Sequence, residues 1–145
     1  MPRKDNRRYP QRPVLGVGAL IFKARKVLLV ERGHEPLKGY WSLPGGALET
    51  GELLVEGLKR EVMEETGLVV EPGPVFEIFE RIMRDKKGRA EYHYVLHDYI
   101  CKVKGGVLAA GSDSNAAAWF TRAQLKGLLL TDGTQGVIER AFDSL

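Results

Sequence analysis

The sequence predicts an α/β protein with a mixed β-sheet packed between helices, and three observations carry that prediction. Short aliphatic and β-branched runs recur along the chain, a single amphipathic helical stripe interrupts them, and helix signals gather near the end. The length, 145 residues and 16.2 kDa, suits one domain with one core. With 43% hydrophobic and 28% charged residues, the composition excludes a disordered chain, a collagen-like repeat and a disulfide scaffold.

The elements follow in order. Val14 to Lys23 and Lys26 to Arg32 are strand-like runs separated only by Ala24 and Arg25, which reads as a hairpin. Gly33 to Gly46 is rich in Gly and Pro and reads as a loop. From Gly51 to Thr66 a helix is expected, because Leu54, Leu58 and Val62 recur every fourth residue with Val55 beside them, and Gly67 is placed to end it. Gly57 inside that helix lowers its propensity by about 1 kcal/mol, which points to close packing at that position. Val75 to Arg84 and Tyr92 to Val103 read as two long strands joined by a turn from Asp85 to Arg89. Ala116 to Phe120 is a short strand, Thr121 an N-cap for a brief helix through Leu125, and Thr131 or Asp132 the start of a last helix to Phe142.

The formal charge of +3 and the pI near 9.0 invite a nucleic-acid reading. Its distribution argues otherwise. Residues 1–12 carry five basic residues against one acidic, so the remaining residues are almost neutral. The basic start is read as a loosely docked tail, with a phosphate-reaching arm as the alternative, and residues 13–145 as the single folded domain. No nucleic-acid partner is expected. Cys101 is the single cysteine, which excludes an intrachain disulfide and suits a reducing compartment. No run of 18 apolar residues occurs, so no membrane partner is expected and the location is read as cytoplasmic.

Residues 45–68 oppose the overall charge. Six glutamates stand there against Lys59 and Arg60. Glu61, Glu64 and Glu65 lie at offsets of three and four, on one helical face, where like charges destabilise a helix unless something positive joins them. Lys59 and Arg60 are not expected to face the three squarely, which leaves either a cation site or a solvated acidic face. With no His or Cys nearby, hard carboxylate oxygens favour Mg²⁺, or Mn²⁺ in its place, over Zn²⁺. Leu43-Pro44-Gly45-Gly46 leads into this segment, and two glycines let the backbone approach a ligand closely.

Gly46, Glu52, Arg60-Glu61-Val62, Glu64-Glu65 and Gly67-Leu68, at these spacings, resemble the Nudix box at every fixed position. Seven fixed identities coincide by chance at below about 10⁻⁸ per starting position, so the resemblance is specific. It extends over flanking features from about residue 14, including Tyr40-Trp41-Ser42-Leu43-Pro44-Gly45-Gly46 and Ala116-Ala117-Ala118-Trp119-Phe120. The resemblance implies the Nudix fold, an α/β/α sandwich, and an enzyme that hydrolyses nucleoside diphosphates linked to another group with a divalent metal, usually Mg²⁺. Carried over by position, Glu64, Glu65 and the Gly45 carbonyl hold the metal, and Glu61 is a ligand or the general base. Arg60 orients the cluster, and Glu52 ties the loop to the helix. Asp113, in the loop before the late Trp-containing strand, is another candidate base, and Glu91 a third.

Around this site, Arg32 is a candidate phosphate contact, Trp41 a candidate substrate contact, and Gly46 the point of close backbone approach. Tyr40, Phe79, Tyr94 and Trp119, with Trp41, could stack an adenine, and Arg81 or Arg84 could meet phosphate, although core packing and surface exposure are the commoner explanations of such residues. His93 and His97, four apart on a strand, stand about 13 Å apart, too far to share a metal. The entrance to the box resembles that of small ADP-ribose pyrophosphatases and of triphosphatases that remove oxidised dGTP. The proline common in the former about fifteen positions beyond the box is absent, the region reading Ile82-Met83-Arg84, and tyrosine and NADH-type markers are missing too. ADP-ribose is the favoured small-molecule substrate, oxidised dGTP the alternative, and a nucleotide-sensing domain without catalysis a further one. A homodimer is expected from the resemblance.

Overall fold

A computed structural model describes residues 7–111 and 114–145. Asp113 and the first six residues lie outside the described residues. The strands are β1 (Val14–Lys23), β2 (Lys26–Arg32), β3 (Trp41–Ser42), β4 (Gly45–Ala47), β5 (Leu68–Arg84), β6 (Ala90–Gly106) and β7 (Ser114–Thr121). Helix α1 (Leu54–Thr66) lies between β4 and β5, and a 3₁₀ helix (Arg122–Gly127) and α2 (Thr134–Ser144) close the chain.

The seven strands form one mixed sheet with the path β3-β2-β1-β6-β5, β4 pairing with β1 and β7 with β2. β1 and β6 run parallel, from Val14 opposite Tyr94 to Ile21 opposite Cys101, and the other ladders are antiparallel. Alternation along β1 divides the core in two. Val17, Ala19 and Ile21 pack with Leu58 and Val62 of α1, whereas Leu20 packs with Val137, Ile138 and Ala141 of α2 and with Leu125. The expected sandwich of helices around a mixed sheet is therefore the architecture found.

Three boundaries differ from expectation for physical reasons. α1 begins at Leu54 rather than Gly51, because Gly51 has φ 90° and cannot enter a right-handed helix. Its C-cap is Gly67 at φ 74°, as expected, with its N–H on the Met63 carbonyl at 3.0 Å. β5 begins at Leu68, not Val75. The strand runs through Pro72 and Pro74 because it is an edge strand and because register shifts between Pro72 and Glu77 absorb the missing donors. α2 is capped by Gly133 at φ 78°, not by Thr131 or Asp132. The Thr131 hydroxyl is engaged with that of Thr134. The Thr121 cap holds: its Oγ1 accepts from the Gln124 N–H while the Gln124 side chain accepts from the Thr121 N–H.

The start of the described chain is docked on the β5–β6 hairpin. Arg8 pairs with Glu91 at 2.8 Å, and the Tyr9 hydroxyl donates to Asp85 at 2.8 Å. That contact is the foremost of several holding the Asp85 carboxyl down at about 2.

Candidate active site

The site is assembled where β4 meets α1. β4 lies against β1 with Gly45 opposite Gly18, Gly46 opposite Val17 and Ala47 opposite Gly16. A Cβ on Gly45 would run into the Val17 carbonyl, and one on Gly46 would fall 2.5 Å from the Glu61 carboxyl carbon. Both glycines are thus required by close approach, the first to the sheet and the second to a site carboxylate. The Gly33–Gly46 stretch, expected as one loop, contains β3 and β4. At two and three residues, these runs are too short to carry an alternating pattern that periodicity could reveal.

α1 then brings its carboxylates to β4. Glu65 Oε1 accepts from the Gly45 N–H at 3.1 Å, and Glu61 lies over Gly46. Burial pushes the Glu61 carboxyl above its usual value, opposed by the neighbouring Arg60 guanidinium. Glu64 is the outermost, with its side chain 54% exposed.

Arg60 corrects an expectation. Rather than turning aside, its long side chain folds back along α1 and joins four glutamates. Its Nε and Nη2 grip Glu52 at 2.6 and 2.9 Å, its Nη1 reaches Glu61 at 3.0 Å and Glu64 at 3.3 Å, and Glu49 is 3.7 Å away. The fork also donates to the Ala47 carbonyl at 3.3 Å, which ties the cluster to β4. Hydrogen bonding to Glu52, foremost, raises the Arg60 pKa further, and the same contact holds Glu52 down at about 2.

Among the described residues, no three carboxylates, imidazoles or thiolates already converge to hold a metal ion. Arg60 stands between Glu61 and Glu64 and supplies the positive charge there. The donor set nevertheless suits a hard divalent cation, because Glu61, Glu64, Glu65 and the β4 carbonyls offer oxygen alone.

On the other side of β4 opens a cleft with Gly45 and Gly46 in its wall. Arg7, Arg32 and Arg81 line it, as do Phe79 and Tyr94. Arg32 donates through Nε to the Pro36 carbonyl at 2.7 Å, and Arg81 donates to the Asp132 carbonyl at 2.7 Å while lying 5.3 Å from the Phe79 ring centroid. Burial lowers the pKa of both guanidiniums, and the buried Nε of Arg81 has no hydrogen-bond partner. Arg32 also shares a smaller cavity with Glu61 and Glu65, which joins the cleft to the carboxylates.

Of the residues singled out beforehand, Arg60, Glu61, Glu64, Glu65, Gly45 and Gly46 come together at the α1–β4 junction, with Arg32 beside them. Trp41 does not line the cleft. Its ring packs edge-on to Phe120 at 5.0 Å, in the core beneath α2. Glu91 is held by Arg8 at the far hairpin. His97 faces the α1 side, with Nδ1 3.2 Å from the Gly16 carbonyl.

Sequence reasoning missed two residues. Arg7 belongs to the stretch read as tail yet lines the cleft, and Asp98, 3% exposed, lines it from β6. Burial, foremost, pushes the Asp98 carboxyl up to about 6. An acidic residue in the middle of a strand run was the available signal.

Comparison with known proteins agrees with this geometry. The family model of the NUDIX domain matches residues 12–140. The chain is 37% identical over 108 residues to the ADP-ribose pyrophosphatase of Methanocaldococcus jannaschii, covering 74% of this chain and 62% of that one. It is 35% identical over 104 residues to the human 8-oxo-dGDP phosphatase NUDT18, covering 69% of this chain and 29% of that protein. The chain thus spans less than two thirds of the length of either relative. Among solved structures, a NUDIX hydrolase from Nitrosomonas europaea shares the fold with a TM-score of 0.79 at 24% identity, over 92% of this chain and 90% of that one. With a complete box folded into loop, helix and carboxylate cluster, and a family match across most of its length, the chain belongs to the NUDIX domain family.

Proposed function

We propose that the chain is a Mg²⁺-dependent Nudix pyrophosphohydrolase of nucleoside diphosphates linked to another moiety, with ADP-ribose, cleaved to AMP and ribose 5-phosphate, as its foremost substrate. The observation that carries this is the clamping of Glu61 and Glu65 onto Gly46 and Gly45, one β-strand away from an Arg-lined cleft. Substrate phosphates lie between Arg32 and β4, and the nucleoside occupies the cleft. Glu64, Glu65, Glu61 and the Gly45 carbonyl hold the ion. When bound, a divalent cation offsets phosphate charge and lowers the pKa of its water. Arg60 keeps the carboxylates oriented, and Glu61 or Asp113 takes the proton from the attacking water. The resemblance to the ADP-ribose pyrophosphatase supports the substrate, and that to the 8-oxo-dGDP phosphatase supports oxidised guanine nucleotides as a second reading.

The chain acts as a homodimer in a reducing, cytoplasmic setting, in keeping with its buried lone Cys101. Among the described residues, no helix is long and apolar enough to cross a membrane.

The test is a hydrolysis panel of ADP-ribose, 8-oxo-dGDP, oxidised dGTP, dNTPs and NADH with product identification, run beside Glu64→Gln. AMP and ribose 5-phosphate from ADP-ribose, and turnover reduced on the order of 100-fold in the variant, are expected. Full turnover by Glu64→Gln would remove Glu64 from the metal site. A strong preference for an oxidised guanine nucleotide would replace the substrate.

A further inference from the structure

Asp98 presents a problem that the reaction above does not use. It sits at the centre of β6, opposite Gly18 on β1, and a Cβ on Gly18 would collide with its Oδ1. The absence of a side chain at Gly18 is therefore what makes room for the carboxylate against the sheet. Only 3% of the residue is exposed, yet its carboxylate makes no hydrogen bond or ion pair with any described residue. Its surroundings offer only longer-range influences: burial and Glu77 raise its pKa, and Arg81 and His97 lower it.

A carboxylate buried without a donor costs several kcal/mol of lost hydration, so such groups are found where a donor arrives from elsewhere. Here the group opens onto the cleft rather than into the sealed core. Asp98 is part of the cleft lining, and its oxygens are not among the fully buried atoms left unsatisfied. Phe79, Met83, Leu96 and Val137 give the cleft apolar walls, with Arg81 beside Phe79 and with Thr131 and Thr134. The cleft also holds Arg32 and the β4 glycines, adjoining Glu61 and Glu65, and Gly45 lies in the same row of the sheet as Asp98, across Gly18. A nucleotide fits that lining with its phosphates at Arg32 and the β4 glycines and its base among the apolar side chains beside Asp98.

We propose that Asp98 is a specificity-determining residue, its carboxylate accepting hydrogen bonds from the N–H donors on the Watson–Crick edge of a purine base held in the cleft. An ionised carboxylate accepts and cannot donate, so it rewards an exocyclic amine or ring N–H and rejects a base that offers only acceptors. Adenine supplies its 6-amino group, and guanine its N1–H and 2-amino group. The inference rests on the cleft being the nucleoside end of the substrate site proposed above.

The experiment measures metal-free binding of four ligands to the full chain by calorimetry: AMP, GMP, purine riboside 5′-monophosphate, which has no donor on that edge, and ribose 5-phosphate. The wild type is expected to bind AMP or GMP about tenfold more tightly than the donor-free nucleotide, the effect of one charge-assisted hydrogen bond. Whichever of the two leads identifies the base. Asp98→Ala is expected to bring the three nucleotides within about twofold of one another and to leave ribose 5-phosphate binding unchanged. Equal binding of all three nucleotides by the wild type would overturn the proposal without any variant having to fold. So would an equal loss for every ligand, ribose 5-phosphate included, in Asp98→Ala and Asp98→Asn. If the wild type discriminates the nucleotides but hydrolyses no ADP-ribose, the reading of Asp98 stands and that of the reaction falls.

Discussion

Arg60 and Glu52 show what one pair of residues contributes. The Nudix box spaces them eight apart, beyond the reach of the usual helical ion pair, because Glu52 lies in the turn before α1 and the guanidinium must fold back to meet it. Glu52 also accepts from the Glu49 N–H at 2.9 Å, so a single carboxylate closes the loop and anchors the arginine that orients Glu61 and Glu64. Its pKa is depressed from 4.5 to about 2, with the Arg60 hydrogen bond as the first cause. A carboxylate with a lowered folded-state pKa stabilises the protein above its unfolded value, and that stabilisation is lost as pH falls through the folded one. Wild-type Tm should therefore decline as pH drops from about 4.5 toward 2. Glu52→Gln should have a lower Tm at pH 7 and a shallower acid decline, read by thermal unfolding across that range. Parallel curves for the two proteins would mean that the pair contributes nothing to folding.

At the scale of the element, α1 is held to the site by the residue that least favours a helix. A Cβ at Gly57 would meet Leu48 at 2.8 Å and Glu52 Oε1 at 3.0 Å, and that oxygen is already fixed by Arg60 and by the Glu49 N–H. Gly57→Ala gains about 1 kcal/mol of helix propensity and meets an overpacking cost of 1–3 kcal/mol, for a net loss of about 1 kcal/mol. Urea unfolding would read that loss, and a variant more stable than wild type would show that the loop yields freely. The close packing at Gly57 was legible in the sequence, because a glycine inside a periodic stripe needs a reason. The stripe, the Gly67 stop and the carboxylate face were legible too, since each depends on neighbours a few residues away. β4 was not, because Gly45 and Gly46 carry no side-chain pattern and pair through backbone alone with a strand nearly thirty residues earlier. Nor were the fates of Trp41 and Asp98, which depend on what α2 and β1 bring to them.

For the whole molecule, the sheet is longer than the helix that covers it. α1 shields Ala19, Ile21 and Cys101, but the same face continues to Leu15 on β1, Val95 on β6 and Ile78 and Ile82 on β5, with Glu80 opposite Val95 and His97 and His93 opposite the two isoleucines. Ile78 is 58% exposed, Leu15 48% and Ile82 43%. β5 is also an end strand of the sheet path, 17 residues long. A long edge beside a face with several exposed apolar residues invites pairing, and a second copy of the same chain, related by a two-fold axis, would cover both at once. The candidate active-site cleft opens on the opposite face of the sheet, among Phe79, Tyr94 and Asp98, so pairing here leaves it free. Light scattering after gel filtration should give twice the mass of one chain at micromolar concentration. Ile78→Asp with Ile82→Asp should bring it to a single chain while far-UV circular dichroism is unchanged, because both side chains already face water in the isolated fold. A wild-type mass of one chain across the concentration range would remove the dimer. A dimer that survives the double substitution would place its interface elsewhere.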